Sequence, residues 1–355
     1  MNRFLYLLLI VVPFAEMADT CQAQSMNLSA KTLQKLNRRT QRKLPGVALA
    51  AMQDGKVVYQ GAFGYRHLDK KKKVTITTQF RIASLSKQFT AIAAAIAMDQ
   101  GILKYQQSIA DFFPEVKAWQ PIKVQHLIHH TSGLPDFDDQ CLEDTKHRYS
   151  MVSFLKWMKS KALISVPGKV FEYSNSGYAL LALVIEKASG LSFPKFLDRH
   201  IFKPASMKNT FIGGVGTLGK NRAISYHLQK KGKRRHFEPD IHNSCNNLVG
   251  DSGIYTTVLD YLKWAKYLTR PTILSKSMKK RIFKPGRLSN GKIAGEDGRG
   301  YAFGFFVWRD HGDLIIDHSG EWLSFGSYAA YYPKDNYWEV GFANSLDLDI
   351  PYLFP

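Results

Sequence analysis

The sequence predicts an α+β fold in which an antiparallel sheet is flanked by helices and interrupted by an inserted, mostly helical subdomain. Strand-like runs lie near both ends of the chain, and helix-like and loop-like patterns fill the stretch between them. One helix-like segment is apolar on nearly every side, which is typical of a buried central helix. We expect residues 24–100 and 250–355 to share the sheet and residues 101–249 to form the helical part.

The first strands and the central helix are predicted between residues 47 and 98. Residues 47–52 are an apolar run, Asp54-Gly55 is a hairpin turn signal, and residues 56–59 supply the partner strand. The strand-like stretch that ends at Ser84 then leads into the apolar segment 89–98, which we predict to be the central helix.

Further elements follow in the rest of the chain. Residues 178–188 predict a helix that Gly190 stops, and residues 258–268 predict another. The later strand-like runs are 301–309, 313–317, 327–332 and 338–343. Because the chain stops soon after the last run, we expect the segment after Ala343 to be poorly packed.

The N-terminus predicts a signal peptide. Arg3 precedes an apolar run, residues 4–14, that is too short to span a bilayer comfortably. Small residues near Ala23 suit cleavage after that position, so residues 1–23 would be removed and the mature chain 24–355 would be secreted or periplasmic. An uncleaved anchor and a lipoprotein attached through Cys21 are the alternatives. No other stretch is long and apolar enough to cross a membrane, so the mature chain would have no transmembrane span.

The charge balance indicates which partners the chain favours. The formal net charge is +20, and loss of residues 1–23 removes one cation and two acids, leaving about +21. The basic runs 70–73 and 230–235 lack interleaved aromatic residues, so we interpret them as solvated loops and expect no nucleic-acid partner. An anionic cell-envelope surface is the expected neighbour of an exported basic protein.

Two cysteines remain in the mature chain, Cys141 and Cys245. An exported compartment permits a disulfide bond between them. Free buried thiols are the equally weighted alternative, because the sequence does not give the distance between the two residues.

Ser84 is the predicted nucleophile. Ser-x-x-Lys patterns occur at several positions, but only Ser84 lies between a strand-like segment and a fully apolar helix. Lys87 lies one helical turn further on, on the same face. Burial in apolar surroundings favours a neutral amine, which can accept the serine proton. A helix-capping role for Ser84 is the structural alternative.

Tyr173 and Asn175 form the chain's Tyr-x-Asn motif, which precedes the helix predicted at 178–188. A phenol near an ammonium group ionises more readily and can take or return a proton. The Asn175 amide offers a donor and an acceptor for orienting Lys87 and a substrate amide. Taken alone, the motif favours the structural alternative, a loop tyrosine that covers the core and an asparagine that caps the helix.

His318-Ser319-Gly320 is the chain's His-x-Gly motif, placed between strand-like runs. An edge strand beside the nucleophile could pair with an extended substrate, and its N–H groups could complete an oxyanion hole. The structural alternative is an ordinary hairpin.

The order and spacing of the three motifs resemble the serine β-lactamase and penicillin-binding-protein superfamily, in the branch of class C β-lactamase-related hydrolases with His-x-Gly. Other segments are similar to that family as well, from about Leu44 to Asn344. They are 127–135, 204–210, 250–260 and 301–305.

The resemblance implies a β-lactamase/transpeptidase-like fold and a role for each site residue. Ser84 would form an acyl-enzyme, and Lys87 and Tyr173 would move protons. Asn175 would orient Lys87 and the substrate. The N–H groups of Ser84 and Glu321 would form the oxyanion hole, with His318 and Gly320 at the substrate.

Departures from the family pattern indicate the substrate class. Where many members have Lys-Thr-Gly, this chain has His318, which is mostly neutral at pH 7 and supplies no fixed charge for a substrate carboxylate. We therefore expect weak β-lactamase activity and hydrolysis of an ester or a peptide, including peptides with D-residues. Bulky Trp322 is expected to narrow the pocket. The alternatives are a β-lactamase or D-Ala-D-Ala carboxypeptidase, and an inert binding or scaffold protein with the same fold.

No cofactor or metal is expected. Residues 214–220 match the pattern of a phosphate-binding loop, but the next residue is Asn221 and not the serine or threonine that would bind magnesium. His126, His129 and His130 lack further ligands at familiar metal spacing, and the family resemblance gives them a structural role.

Overall fold

The structure, a computed structural model, describes residues 28–137, 140–141, 148–213, 221–231, 234–241, 243–270, 273–348 and 350–353. The predicted signal peptide at 1–23 and the loop 214–220 lie outside the described residues.

Blocks of strands and blocks of helices follow one another along the chain. The α-helices are α1 Ala30–Gln41, α2 Ser86–Asp99, α3 Val124–Ile128, α4 Met151–Lys159, α5 Asn175–Ser189, α6 Phe193–Leu197, α7 Val258–Leu268 and α8 Lys276–Ile282. Short 3-10 helices are Ala83–Leu85, Ile109–Asp111, Lys117–Trp119 and Pro351–Leu353, and a π-helical turn spans Asp198–Phe202. The strands are β1 Val47–Gln53, β2 Lys56–Phe63, β3 Tyr65–His67, β4 Lys72–Lys73, β5 Phe80–Arg81, β6 Phe211–Ile212, β7 Tyr226–Lys231, β8 Arg234–Pro239, β9 Ile254–Thr256, β10 Gly295–Glu296, β11 Arg299–Tyr301, β12 Phe306–Asp310, β13 Asp313–Trp322, β14 Phe325–Tyr332 and β15 Tyr337–Ala343.

The main sheet joins the two ends of the chain, which confirms the predicted fold class. Its eight strands lie in the order β10-β11-β12-β13-β14-β15-β1-β2, and every neighbouring pair is antiparallel. The N-terminal strand β1 pairs with the C-terminal strand β15, with Val47 opposite Ala343. The sheet is therefore complete only when β15, which is late in the sequence, pairs with β1.

Alternation along β1 separates two hydrophobic clusters. Ala48, Ala50 and Met52 pack into the large cluster that contains α2, whereas the alternate residues of the strand pack into a small cluster on the other face. The period of two is that of a strand buried on both sides. Helix α2 thus lies on one face of the sheet, and α1 lies on the other.

The segment after Ala343 is better packed than the sequence suggested, so that prediction is wrong for much of it. Leu348, Ile350 and Leu353 are buried in the small cluster with α1, although Leu346 is exposed. In addition, Asp347 accepts two hydrogen bonds from the guanidinium of Arg39 in α1. Helix α1 and this short segment together cover the face that the sequence appeared to leave open.

The predicted strand 301–309 is two strands. Strand β11 ends at Tyr301, β12 begins at Phe306, and Gly304 lies between them with φ +79°. A Cβ at Gly304 would stand 2.6 Å from the backbone of Gln88 in α2. A left-handed glycine pressed against the central helix breaks the strand, which the apolar pattern alone did not reveal.

The inserted region 101–249 contains helices α3 to α6, but it also contains β6 and the hairpin of β7 and β8. Residues 230–231 and 234–235 of the second basic run lie on the two strands of that hairpin, and Lys230 is exposed. Within the described residues, none of the helices has both the length and the apolarity needed to cross a bilayer.

Candidate active site

Ser84 lies in the 3-10 turn Ala83–Leu85 that leads into α2. Ala83 has a left-handed backbone with φ +47°, a conformation that costs energy for a residue with a side chain. The sharp turn has a clear result: every residue from 80 to 97 is buried except Ser84, which is partly exposed. The predicted nucleophile is the one point where this core segment can be reached.

Lys87 is buried beside Ser84. Its Nζ lies 3.1 Å from Ser84 Oγ, 2.5 Å from Asn175 Oδ1 and 3.1 Å from the backbone oxygen of Asp251. The structure therefore brings together the first two sequence motifs, together with a backbone group that the sequence did not indicate.

The partners of Lys87 differ in what they can exchange. An amide oxygen and a backbone carbonyl accept hydrogen bonds and have no proton to give. If the amine is neutral, its two N–H groups donate to Asn175 Oδ1 and to the backbone oxygen of Asp251, and its lone pair can accept a hydrogen bond from the Ser84 hydroxyl. As an ammonium, the same group donates to all three oxygens. The geometry suits both protonation states of a proton-accepting lysine.

Asn175 is fixed at the start of α5. Its backbone N–H donates to Asp136 Oδ2 at 2.7 Å, and the neighbouring Ser176 hydroxyl donates to the other carboxylate oxygen at 3.1 Å. Ser174, rather than Asn175, caps the helix, because its side chain accepts the N–H of Gly177. The Asn175 side chain does not cap the helix, and its Oδ1 accepts a hydrogen bond from Lys87.

Tyr173 borders the same cluster. Its ring centroid lies 4.9 Å from Lys87 Nζ, and its hydroxyl lies 3.5 Å from His318 Nε2. The second and third motifs thus meet at the phenol.

His130 accepts hydrogen bonds from the residues before and after Tyr173 in the chain. The sequence did not indicate this role. Its backbone oxygen accepts the N–H of Glu172 at 2.8 Å, and its Nδ1 accepts the N–H of Ser174 at 3.0 Å. Its ring also packs 4.3 Å from the Tyr173 ring. Burial, with the charge of Lys87 as the next cause, keeps the pKa of His130 well below its ordinary value. A neutral His130 with Nδ1 unprotonated matches the hydrogen bond it accepts.

His318 is also a neutral group. Burial, with the charge of Lys87 as the next cause, lowers the pKa of His318 to about 3. Its Nδ1 contacts the backbone oxygen of Ser319, which assigns the ring proton to Nδ1 and leaves Nε2 as an acceptor. The Tyr301 hydroxyl, 3.1 Å away, then donates to Nε2. Tyr301 is a second neighbour that sequence reasoning did not assign to the site.

Gly320 allows β13 to approach the nucleophile. A Cβ at this position would lie 2.7 Å from the backbone nitrogen of Ser84 and 2.8 Å from the backbone oxygen of Ile82. Any side chain would separate the strand from the turn that carries Ser84, so a glycine is required by contact rather than by backbone conformation.

The end of β13 forms a local strand edge. Strand β12 pairs with β13 only as far as Asp317, and within the described residues no strand covers the outer side of 318–322. The two-residue turn after Trp322 makes Trp322 and Phe325 the closing pair with β14. Because hydrogen-bonded pairs alternate, the N–H of Glu321 points away from β14.

Cys141 and Cys245 are joined by a disulfide bond, with a Cα–Cα distance of 5.5 Å. This settles the alternative that the sequence left open. The bond links two segments that reach the site: Asp136 precedes Cys141, and Asn246 follows Cys245. The Asn246 side chain contacts both Arg81 and Trp322, at 2.8 and 2.7 Å.

The structure brings all seven predicted site residues to one region, where α2, α5 and β13 meet. Those that sequence reasoning missed act through backbone atoms or from distant segments: His130, Asp136, Asp251 and Tyr301. The segments that resemble the family contain three of them, which was the available signal. Within the described residues, no group of three or more His, Cys, Asp or Glu side chains is arranged to hold a metal ion.

Comparison with known proteins confirms the resemblance that the motifs predicted. A family model described as Beta-lactamase matches residues 23–349. Penicillin-binding protein 4* of Bacillus subtilis is 30% identical over 296 residues, covering 79% of this chain and 64% of that protein. The chain therefore spans less than two thirds of that relative's length.

Two solved structures share the fold. The octameric penicillin-binding protein homologue from Pyrococcus abyssi has a TM-score of 0.77 and 27% identity, covering 91% of this chain and 75% of that one. The D-amino acid amidase from Ochrobactrum anthropi SV3, complexed with L-phenylalanine amide, has a TM-score of 0.71 and 22% identity, covering 89% and 91%. At 22% identity, the likeness to the amidase shows a shared fold and nothing about activity.

Proposed function

The chain belongs to the beta-lactamase family, and on that premise we propose that it is an exported serine hydrolase that forms an acyl-enzyme on Ser84. Its substrate is an ester or a peptide, including peptides with D-residues. The observation that carries the proposal is the surroundings of Lys87, whose Nζ meets two acceptor-only oxygens and the hydroxyl of Ser84.

In the acylation step, Lys87 takes the proton of Ser84 as Oγ attacks the carbonyl carbon. Asn175 and the backbone oxygen of Asp251 hold the amine in position throughout, since neither has a proton to exchange. Tyr173 gives a proton to the leaving group as the tetrahedral intermediate collapses, and Lys87 restores that proton. Water then attacks the acyl-enzyme, and the proton transfers run in reverse.

The developing negative charge on the carbonyl oxygen is stabilised by two backbone N–H groups, those of Ser84 and Glu321. Gly320 supports this role because it brings β13 against Ser84, and the alternation of β13 supports it because the Glu321 N–H points away from β14. The exposed side chain of Glu321 takes no part.

The substrate class follows from the lack of fixed charge at His318. Burial lowers the pKa of His318 to about 3, so the ring is neutral at physiological pH. A neutral imidazole binds a carboxylate less strongly than a lysine ammonium at this position. We therefore favour uncharged esters and amides over β-lactams and over peptides bound through their terminal carboxylate.

The proposal is tested by intact-mass spectrometry of the mature protein after treatment with a fluorophosphonate probe, with Ser84→Ala beside it. We expect one adduct on the parent protein and none on the variant. Ser86→Ala is the matched control, because Ser86 lies two residues away and is fully buried, and it should still be labelled. A folded parent protein without an adduct would contradict the proposal and favour the alternative hypothesis, an inert binding or scaffold protein with the same fold.

The rival within the same chemistry is a β-lactamase or D-Ala-D-Ala carboxypeptidase. Rapid turnover of a chromogenic cephalosporin, compared with simple esters, would favour it. The proposal also includes export: the mass of the protein recovered from secretion-competent cells should equal that of residues 24–355. Retention of residues 1–23 would instead favour the uncleaved anchor.

A further inference from the structure

Trp322 lies on the strand that borders the nucleophile, and its position relative to Ser84 follows from the pleat. Alternate side chains of a strand point to the same face, so His318, Gly320 and Trp322 share the face that meets Ser84. Gly320 leaves room for the Ser84 backbone. His318 and Trp322 therefore flank the nucleophile, each roughly 7 Å along the strand from Gly320.

The leaving group belongs on the His318 side. In the proposed function its proton comes from Tyr173, whose hydroxyl lies 3.5 Å from His318 Nε2. A carbonyl carbon attacked by Ser84 has its leaving group and its acyl substituent on different sides. With the leaving group directed toward Tyr173 and His318, the acyl substituent extends toward Trp322.

The Trp322 ring is held in place by two contacts. Its Nε1–H donates to Asn246 Oδ1 at 2.7 Å, and its ring lies 4.5 Å from the guanidinium carbon of Arg81. Arg81 is 2% exposed, and it donates to the same Asn246 oxygen at 2.8 Å and to Ser252 Oγ at 3.3 Å. The disulfide bond at the neighbouring Cys245 restrains Asn246 in turn. The indole is a fixed wall, yet it remains partly exposed rather than absorbed into the core.

We propose that Trp322 limits the length of the acyl group, so that the enzyme prefers substrates with short acyl groups. This inference rests on the proposed function, because it takes the direction of the leaving group from the role of Tyr173. It goes beyond that function by assigning a specificity residue and a substrate class.

The test is hydrolysis of p-nitrophenyl acetate, butyrate and octanoate by the mature protein and by Trp322→Ala. We expect the parent to prefer acetate. We expect Trp322→Ala to raise the octanoate-to-acetate ratio of kcat/KM tenfold or more, because removal of the indole opens the acyl side. Trp322→Phe keeps most of the bulk and should keep the parental ratio, although it loses the hydrogen bond to Asn246.

Two controls separate a wall from a structural support. Trp308→Ala removes another partly exposed tryptophan, on β12, and should leave the chain-length ratio unchanged. With the acetyl group held constant, a change of leaving alcohol from p-nitrophenol to 4-methylumbelliferone should affect the parent and Trp322→Ala by the same factor. Thermal unfolding of each variant shows whether it is folded, and Trp322→Leu is the substitute if the alanine variant is not.

The outcomes are distinct. An unchanged chain-length ratio in Trp322→Ala, or a parent that prefers octanoate, would overturn the inference while Ser84-dependent turnover of acetate upholds the proposed function. If the fluorophosphonate labels Ser84 but no variant hydrolyses any of the three esters, the inference is overturned and the proposed function stands. If Ser84 is also not labelled in the folded parent, the proposed function fails together with the inference.

Discussion

Glu339 is a buried carboxyl group on the sheet face opposite Ser84, and its surroundings differ from those of Lys87. Lys87 meets three oxygens that suit its donors, whereas Glu339 accepts one hydrogen bond from Tyr332, at 2.8 Å, and is near a second buried acid, Asp317. Burial is the main cause that raises the pKa of Glu339 from 4.5 to about 7, and Asp317 adds to it. A carboxyl in this position opposes folding whenever it must ionise.

The resulting prediction concerns stability against pH. Between pH 4.5 and 7 the unfolded chain releases the Glu339 proton while the folded chain keeps it, so the contribution of Glu339 to the free energy of unfolding falls as pH rises, by about 3 kcal/mol in all. Above pH 7 the loss is complete. Glu339→Gln cannot ionise, so denaturant unfolding should show little difference from the parent near pH 4.5 and a gain that grows up to pH 8.

Asp335→Asn is the control for this titration, because it removes an exposed acid from the neighbouring turn. It should not reproduce the gain in the free energy of unfolding that Glu339→Gln shows at pH 8. Equal effects of Glu339→Gln at pH 5 and pH 8 would show that the side chain acts by packing and not by ionisation.

At the scale of elements, the sequence predicted the helices and strands that are determined by neighbouring residues, such as a capping residue or a periodic apolar pattern. Helix α7 has the predicted bounds, because Thr257 caps its first turn and its apolar residues recur with helical spacing. The strand predicted at 301–309 was interrupted because the contact between Gly304 and α2 is invisible in a linear pattern. His130 escaped assignment for the same reason: its partners are more than forty residues away.

Helix α1 is fastened to the segment that follows β15, and this contact yields a prediction. Arg39 is buried, and its guanidinium donates to both carboxylate oxygens of Asp347 and, through Nε, to the backbone oxygen of Pro45. A lysine cannot reproduce that planar arrangement. Arg39→Lys should therefore lower the free energy of unfolding by about 1–3 kcal/mol, measured by denaturant titration.

Arg38→Lys is the matched control, because Arg38 is exposed on the same helix, and it should be nearly neutral. Fluorophosphonate labelling of Ser84 should persist in both variants, since α1 lies on the opposite face of the sheet. Loss of labelling in folded Arg39→Lys would mean that the two faces are coupled.

At the scale of the whole molecule, the chain is closed by a sheet that pairs its two ends and by a disulfide bond within the insertion. Cys141 and Cys245 are 104 positions apart in sequence. In the chain-entropy account, a closed loop of that size stabilises the folded state by about 4 to 5 kcal/mol. The pairing lay beyond the sequence because it depends on how the insertion folds back on itself.

Replacing both cysteines by alanine should lower the melting temperature and also slow acylation of Ser84, at temperatures where the variant is still folded. The second effect is expected because the bond steadies Asp136, which holds Asn175, and Asn246, which holds Trp322. The measurements are thermal unfolding and the rate of fluorophosphonate labelling. A lower melting temperature with an unchanged labelling rate would restrict the disulfide bond to global stability.

The open edge of β13 has a consequence for the solubility of the protein. Unpaired backbone groups on a strand edge can recruit a strand from another molecule, which is a route to aggregation. Here the overhang is short, from His318 to Trp322, and Ser319 and Glu321 are both exposed along it. On a second copy, the same carboxylate would meet its own like charge. The unpaired backbone of this edge can thus remain accessible to a substrate, while repulsion between Glu321 side chains opposes pairing with the same edge of a second copy.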